Sequence, residues 1–196
     1  MSLVPLVFSS GWASGVNAYL VVLVLGLSDR FGDVEQIPDQ LARTDVLVAA
    51  GILFALEFVT DKVPYLDSTW DAISTVLRPT VAAAIALLVS GDATTIEQAA
   101  YAVLGGGTAL ASHSVKAGSR LAINASPEPF SNIAASLAED GLVLAVVLLV
   151  IEHPWIAFAV TVVLLVTGLG LLVWLMRRIR RGWSRWKGRP ERRAAA

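Results

Sequence analysis

The sequence predicts an all-α protein, a polytopic transmembrane helix bundle of about six spans. Of the 196 residues, 56% are hydrophobic and only 16% are charged, whereas soluble domains have about 45–50% apolar and about 25% charged residues. The apolar residues fall into six runs, and most of them approach the about 20 residues that a helix needs to cross a bilayer. Nine of the 15 lysines and arginines lie beyond residue 176, so a basic tail follows an apolar body.

The first apolar run covers residues 3–27 and contains a patch of small and polar residues from Ser9 to Asn17. No Lys or Arg precedes this run, and it is too long for the apolar core of a signal peptide. We therefore expect a retained span. The remaining apolar runs are 46–62, 72–90, 96–115, 133–151 and 155–176.

The run 96–115 is the least typical span, because it consists mostly of small residues. It contains three consecutive glycines, Gly105 to Gly107, and each costs a helix about 1 kcal/mol relative to alanine. A kink or break is expected there, and a re-entrant element is the alternative to a full span. In the run 72–90, Pro79 follows Arg78 near the predicted helix start, where proline is tolerated.

The distribution of basic residues predicts the topology. We divide the chain into a transmembrane helical domain, 1–176, and a basic cytoplasmic tail, 177–196. With six spans and the tail inside, thirteen Lys and Arg lie on the inner side, whereas only Arg30 and Arg43 lie outside. This matches the positive-inside rule and places both termini in the cytoplasm. An odd number of spans keeps the tail inside and moves the N-terminus outside.

A weak internal repeat suggests that the bundle consists of two inverted three-helix halves. Each half begins with a small-residue helix, around 11–17 and 105–114, and its second helix ends in charged residues before a proline, at 61–64 and 152–154. Three spans per half give the two repeats opposite topology, as in many transporters. Chance similarity between apolar helices is the alternative.

The first candidate site residues lie in the small-residue patch. Gly11 and Gly15 are four residues apart, which lets another helix approach closely, and Asn17 can hydrogen-bond across such a contact. Helix packing is the favoured interpretation. The functional alternative is an unwound point that lines a pathway, because irregular backbone at membrane depth survives only where it is buried or wetted.

Charged residues near the end of the second run form another candidate group. Glu57 and Asp61 share a helix face at i, i+4, Lys62 can pair with a neighbouring acid, and Arg78 lies where the third run enters the bilayer. Ionisable residues within a span indicate function by default. For Asp67 and Asp71, which lie between the two runs, we favour a solvated rim with ordinary ion pairs.

The last candidate group lies at the end of the fourth run, just beyond it, and at the start of the fifth run. His113, Lys116 and Arg120 share one helix face, and Glu139 and Asp140 lie about a turn into the fifth run. These charges are able to form a buried network or to bind an ion or an anionic headgroup. Snorkelling of the long side chains to the interface is an equal alternative.

Composition and motifs exclude several other classes of function. The chain has no cysteine and only two histidines, so neither a thiolate site nor a His-built metal site is expected. Hydrolase, metalloprotease and P-loop motifs are absent, and no cofactor is expected. Asp67 and Asp71 have the spacing to hold a divalent cation with phosphates, but the longer motif of lipid phosphotransferases is missing. Whether any metal binds is left open.

Several polar runs resemble a bacterial membrane family called domain of unknown function 4126. The resemblance covers the chain up to about Pro154 and rests on five runs: Ser14-Gly15-Val16-Asn17-Ala18-Tyr19, the run from Glu57 to Trp70-Asp71, Arg78-Pro79, the run from His113 to Arg120, and the run from Ser126 to Asp140. It implies a multi-pass protein of the bacterial cytoplasmic membrane. It implies no particular activity.

The leading functional hypothesis is a small transporter or channel for an ion or small polar solute. The alternative is a non-transporting lipid-binding or assembly protein, whose basic tail, with Trp183 and Trp186, binds anionic lipids. An enzyme acting on a lipid headgroup ranks third. Homo-oligomers fit either hypothesis, and nucleic acid is not an expected partner. The predicted pathway residues are Asn17, Glu57, Asp61, Lys62, Arg78, His113, Lys116, Arg120, Glu139 and Asp140.

Overall fold

The computed structural model describes residues 3–32, 34–63, 65–124 and 129–187. These residues form helices and turns, without a β-strand. The helices are α1 (Leu3–Gly32), α2 (Thr44–Thr60), α3 (Leu66–Val89), α4 (Thr95–Ile123), α5 (Pro129–Glu152) and α6 (Pro154–Lys187). The proline of the first repeat motif, the loop 125–128 and the end of the tail, 188–196, lie outside the described residues, as do the side chains of Trp183 and Trp186.

Four helices are long and apolar enough to cross a membrane: α1, α3, α5 and α6. The 17 residues of α2 lie at the short end of the range for a span, and the small and polar residues of α4 lower its hydropathy. The predicted all-α membrane bundle is therefore confirmed. Full crossing of the bilayer by α2 and α4 stays a prediction.

The first helix lies at the centre of the bundle. It packs against each of the other five helices, and the outer helices follow one another around it in the order α2, α3, α4, α6, α5. In their most apolar 18-residue windows, 78% of the α1 residues are buried but only 11% of those of α6. The outermost helix thus presents its apolar residues to lipid, whereas α1 contacts mainly protein.

Helix α1 is broken at Asn17. The backbone there is extended, with φ −150° and ψ 95°, and the residues on either side form two arms, 3–16 and 18–32. The side-chain oxygen of Asn17 accepts a hydrogen bond from the Leu20 backbone N–H at 3.0 Å. That bond caps the start of the second arm, because the first N–H groups of a helix have no partner within it.

The two arms of α1 return to the same end of the bundle. Leu6 of the first arm packs against Val150 of α5, and Ser28 and Gly32 of the second arm line a shallow cavity with Ile151. A straight helix of 30 residues would hold its ends about 45 Å apart, yet both ends meet the last turn of α5. Helix α1 is therefore a helical hairpin that turns at Asn17, which differs from the single span predicted for 3–27.

The neighbours of each arm confirm this course. The second arm runs antiparallel to α2, because Arg30 donates a hydrogen bond to Thr44 at 3.0 Å. The first arm runs parallel to α4, since Gly11 lies against Gly105 and the Val16 carbonyl meets Lys116. In an inverted repeat, α1 and α4 would run in opposite directions, so the first arm does not fit that arrangement. The repeat stays a prediction.

The three glycines of α4 do not interrupt it, so the predicted kink or break is wrong. Helix α4 is continuous from Thr95 to Ile123. A Cβ atom at Gly105 would lie 3.1 Å from the Ala82 carbonyl oxygen, and one at Gly11 would lie 2.7 Å from the Gly105 carbonyl oxygen. The glycines therefore allow α1, α3 and α4 to pack closely. This confirms the packing interpretation of Gly11.

Candidate functional site

Three cations are buried where α1 turns. Arg78, Lys116 and Arg120 are 0%, 3% and 1% exposed. Arg78 lies near the middle of α3, about 18 Å from its start. Five carboxylates surround the three cations, and we call the eight residues together the buried charge cluster. The carboxylates belong to Glu57, Asp61, Asp71, Glu139 and Asp140.

Arg78 connects three helices. Its Nη2 atom lies 2.7 Å from the Glu57 carboxylate of α2 and 3.4 Å from the Asp71 carboxylate of α3. Its Nη1 atom donates to the backbone carbonyl of Gly15 in α1 at 3.2 Å. Because both the Arg78 and the Glu57 side chains are wholly excluded from solvent, each is the closest compensating charge for the other.

His113 joins the cluster as a neutral ring. Its Nδ1 atom lies 2.7 Å from Nη1 of Arg78, which can only donate, so Nδ1 accepts. The proton is therefore assigned to Nε2, which lies 3.1 Å from the Asp71 backbone carbonyl and 3.1 Å from the Thr75 hydroxyl. His113 thus links Arg78 to the first turns of α3.

Lys116 lies between α1, α2 and α5. Its Nζ atom is 2.7 Å from the Asp61 carboxylate and 3.4 Å from that of Glu57. It also lies 3.5 Å from the Glu139 carboxylate and donates to the Val16 carbonyl at 3.0 Å. One ammonium group therefore holds carboxylates of two helices beside the broken backbone of a third.

Arg120 makes the most regular ion pair of the cluster. It donates two hydrogen bonds to Glu139, from Nε at 3.2 Å and from Nη2 at 2.6 Å. Its Nη1 atom donates to the backbone carbonyls of Asp61 and Asn132 at 2.9 and 3.3 Å. Bidentate pairing of this kind fixes geometry as well as charge, so Arg120 orients α5 relative to the end of α2.

The turn of α1 is held by charged groups on both sides. The carbonyls of Gly15 and Val16 end the first arm, where a helix carries partial negative charge, and they accept from Arg78 and Lys116. The Asn17 side-chain amide donates to the Asp140 carboxylate at 2.9 Å. The break therefore places peptide carbonyls that face charged side chains, together with a carboxylate, inside the bundle, close to the middle of α3 and α5.

The structure brings together nine of the ten residues predicted for the pathway. Seven of them are in direct contact within the cluster or around His113, and the remaining two, Asn17 and Asp140, are hydrogen-bonded to each other beside it. Lys62 lies apart: its Nζ donates to the Phe58 carbonyl at 2.8 Å and to the Ser136 hydroxyl at 3.3 Å. Lys62 therefore ties α2 to α5 at the edge of the site.

Two sequence interpretations are wrong. Asp67 and Asp71 do not form a solvated rim, because they are only 0% and 4% exposed. Lys116 and Arg120 do not snorkel to an interface but form a buried network. Both interpretations relied on where each residue lies relative to the apolar runs of the sequence. In the structure, burial comes from neighbouring helices that enclose these residues from the side.

Sequence reasoning also missed two asparagines, of which Asn132 is buried and Asn124 half-buried. Asn124 donates to both carboxylate oxygens of Asp67 at 2.9 Å, and Asn132 donates to the Asn124 side-chain oxygen at 2.9 Å. The spacing of Asn132, Ser136 and Glu139 at i, i+4 and i+7 was the available signal, because it places them on one face of α5.

The cluster has more carboxylates than cations and more unpartnered acceptor atoms than unpartnered donor atoms. It contains three cations and five carboxylates, and several buried carboxylate oxygens have no hydrogen-bond partner. These are Oε2 of Glu57, Oδ1 of Asp61, both side-chain oxygens of Asp71 and Oδ2 of Asp140. Within the cluster, the corresponding unpartnered donor is Nε of Arg78. Among the described residues, no group of three or more His, Asp or Glu side chains is arranged to hold a metal ion.

The apolar outer helices and the enclosed charge cluster define an integral membrane protein. The sequence matches the family described as Domain of unknown function (DUF4126) over residues 4–178, and the chain belongs to that family. This confirms the resemblance seen in the polar runs. Comparison with curated proteins and with solved structures finds no match.

Proposed function

We propose that this protein is a small transporter or channel for an ion or small polar solute. The observation that carries the proposal is the break in α1 at Asn17, where the ends of two half-helices meet buried charged side chains. Transporters place their substrate sites near the bilayer midplane, where discontinuous helices present their ends to the substrate. Here the break lies level with Arg78, near the middle of α3.

The energetic cost of the site supports this proposal. Buried ion pairs contribute little net stability, because desolvation of the charges offsets their attraction. Charged residues within a membrane span are costly and mark pathways or relays. A bundle held together only by packing needs neither a broken central helix nor six buried charged residues, so a function that uses them is the simpler explanation.

The course of α1 suggests an orientation that differs from the one predicted. We place the tail in the cytoplasm of a bacterial inner membrane and let the five helices α2 to α6 cross it. The start of α2 then lies on the outer side, and the hairpin of α1, which precedes it, enters the membrane from that side. Arg30 and Arg43 then remain outside and the other basic residues inside, which keeps the positive-inside distribution. We therefore propose an outer N-terminus, in place of both termini being cytoplasmic.

In this orientation the charge cluster lies between the cytoplasmic end and the middle of the bundle. Apolar contacts fill the space on the outer side, where Trp12 and Val16 of the hairpin pack against Val143 and Val147 of α5. The pathway would thus open first toward the cytoplasm. Transport to the outer side would require the two arms to move relative to α5.

Flux through reconstituted protein tests the proposal. Purified protein in liposomes should move a monovalent ion or small solute faster than protein-free liposomes, and Glu57→Gln should lower that flux. Glu97→Gln is the matched control, because Glu97 is an exposed acid that caps the opposite end of α4. If no ion or solute moves, and Glu57→Gln behaves like wild type in cells, the proposal is wrong.

One observation favours the lipid-binding alternative. Helix α6 continues past residue 176 to Lys187, and its 34 residues correspond to about 51 Å, longer than the hydrocarbon core of a bilayer. The Arg178 guanidinium lies 4.9 Å from the centre of the Trp174 ring. A basic helical extension with an aromatic residue at its base suits a surface of anionic lipid.

A further inference from the structure

We infer that Asp71 binds a small monovalent cation in a groove between α3 and α4. This inference names the ligand class of the proposed transporter and rests on that proposed function. Six residues line the groove, which we call the α3–α4 groove: Ser68, Asp71, Ala72, Thr75, Ala117 and Leu121.

Asp71 is the least satisfied carboxylate of the cluster. The residue is only 4% exposed, yet neither of its side-chain oxygens accepts a hydrogen bond. Its contact with Arg78 is 3.4 Å long, whereas Arg78 lies 2.7 Å from Glu57. Buried carboxylates normally have hydrogen-bond partners, so Asp71 retains capacity for a positively charged ligand.

The groove supplies the setting for such a ligand. Its volume is about 200 Å³, which is room for an ion with a few waters at about 30 Å³ each. Ser68, Asp71 and Thr75 are the polar residues among those that line it, and hard cations prefer oxygen ligands such as theirs. The Asp71 carboxylate oxygens lie just beneath the surface of the groove. Asp71 lies only about 8 Å along α3 from the helix start, near the end of the bundle that we propose is cytoplasmic.

The charges around the groove select a monovalent cation. The surrounding charged groups come from four helices: Glu57 and Asp61 of α2, Arg78 of α3, Lys116 and Arg120 of α4, and Glu139 and Asp140 of α5. Acids outnumber bases in this set, which disfavours an anion. A single carboxylate without further acidic or histidine ligands is a poor site for a divalent metal.

Occupancy of the groove would reach the turn of α1 through Arg78. A cation at Asp71 compensates that carboxylate and leaves Arg78 to Glu57 and to the Gly15 carbonyl. The same guanidinium therefore connects the groove with the end of the first arm. Binding in the groove would thus change the interactions of Arg78 with the end of the first arm, the part of α1 that we propose must move.

Binding is best measured on the full chain in detergent, without any transport step. The melting temperature is followed while Na⁺, K⁺ or Li⁺ replaces choline at constant ionic strength, and a parallel pH series tests the proton. Asp71→Asn removes the charge at nearly constant shape. Asp67→Asn is the matched control, because Asp67 is also buried but has both oxygens bonded to Asn124.

We expect one of these cations to raise the melting temperature of wild-type protein, since a ligand that binds only the folded state stabilises it. Asp71→Asn should lose this cation-dependent shift, and Asp67→Asn should retain it. Ala72→Phe lies at the exposed rim of the groove and should weaken the shift without altering the core. This variant provides the test if Asp71→Asn does not fold.

The inference is overturned if none of Na⁺, K⁺ or Li⁺ shifts the melting temperature of the wild type, or if only a change of pH does so. It is also overturned if Asp71→Asn, or Ala72→Phe where the former does not fold, keeps the full shift. Cation binding without flux in liposomes would reject the transport proposal and leave the site at Asp71 intact, so the two failures are distinguishable.

Discussion

The Arg78 guanidinium and the Glu57 carboxylate lie 2.7 Å apart with both side chains completely buried. The chain also contains an ion pair of the same length at its surface: Arg43 and Asp45 are 2.7 Å apart, with 64% and 65% of their side chains exposed. The two pairs differ in burial and not in distance. They therefore allow the effect of burial on an ion pair to be measured within one protein.

Arg78→Gln should lower the free energy of unfolding by about 3–5 kcal/mol, because it removes the closest partner of the buried Glu57 carboxylate and leaves it only the longer contact with Lys116. The double variant Glu57→Gln/Arg78→Gln should be more stable than Arg78→Gln alone. Arg43→Gln is the surface control and should change stability little, since water and salt screen an exposed pair. Unfolding of the purified protein in detergent measures all three; equal losses from Arg78→Gln and Arg43→Gln would contradict the burial argument.

The glycines at the contact of α1 and α4 give a second prediction. A Cβ atom at Gly15 would collide with the Ser112 hydroxyl and the Ala109 carbonyl, whereas one at Gly107 would meet no atom within 4 Å. Gly15→Ala should therefore destabilise the protein by about 1–3 kcal/mol. Gly107→Ala should leave stability unchanged or raise it by up to about 1 kcal/mol. Thermal unfolding of the two variants is the measurement, and a stable Gly15→Ala protein would refute the close contact.

Substitutions at Asn17 separate its two hydrogen bonds. Asn17→Ala removes both the cap on the Leu20 N–H and the contact with Asp140, and loss of a cap alone costs about 0.5–2 kcal/mol. Asn17→Ser keeps an oxygen that can cap the second arm but is too short to reach Asp140. We expect the free energy of unfolding of Asn17→Ser to lie between those of Asn17→Ala and the wild type. If Ser and Ala are equally destabilising, Asn17 does not act as a cap.

Much of the helical membrane architecture was predictable from the sequence, because apolar runs record lipid exposure and glycine spacing records close packing. Helix-face arguments also grouped Lys116 and Arg120 with Glu139, which both cations contact, but they did not predict the pairing of Lys116 with Asp61. The fold-back of α1 was not predictable. The patch from Ser9 to Asn17 indicated an interruption, but the direction of the chain beyond Asn17 depends on contacts with α2 and α5.

The burial of Asp71 and Asp67 was also hidden from sequence reasoning. Both lie outside the apolar runs, and their enclosure comes from α4, whose Asn124 is distant in sequence and bonds Asp67. The continuity of α4 through its glycines has a similar cause. The low helix propensity of Gly105 is a local property that the sequence shows. The close packing that Gly105 allows with Ala82 and Gly11 depends on tertiary structure.

Deletion of residues 177–196 distinguishes transport from lipid binding. If the charge cluster carries function, the truncated protein should retain flux in liposomes while losing affinity for vesicles that contain anionic lipid. Each Lys or Arg near an anionic surface contributes about 1 kcal/mol of attraction, so loss of vesicle binding should be large. If the deletion abolishes function in cells while Glu57→Gln is tolerated, the lipid-binding alternative is correct.

The fold-back of α1 is the claim on which the broken-helix pathway rests, and sidedness of labelling tests it most directly. The chain has no cysteine, so a single introduced cysteine is the only thiol. Val4, Phe31 and Ile179 are exposed and suit substitution to Cys, one at a time, followed by reaction with a thiol reagent that does not cross membranes. We predict that Val4→Cys and Phe31→Cys react from the same side of the membrane and Ile179→Cys from the opposite side. Reaction of Val4→Cys and Phe31→Cys from opposite sides would show that α1 crosses the bilayer and would contradict the account.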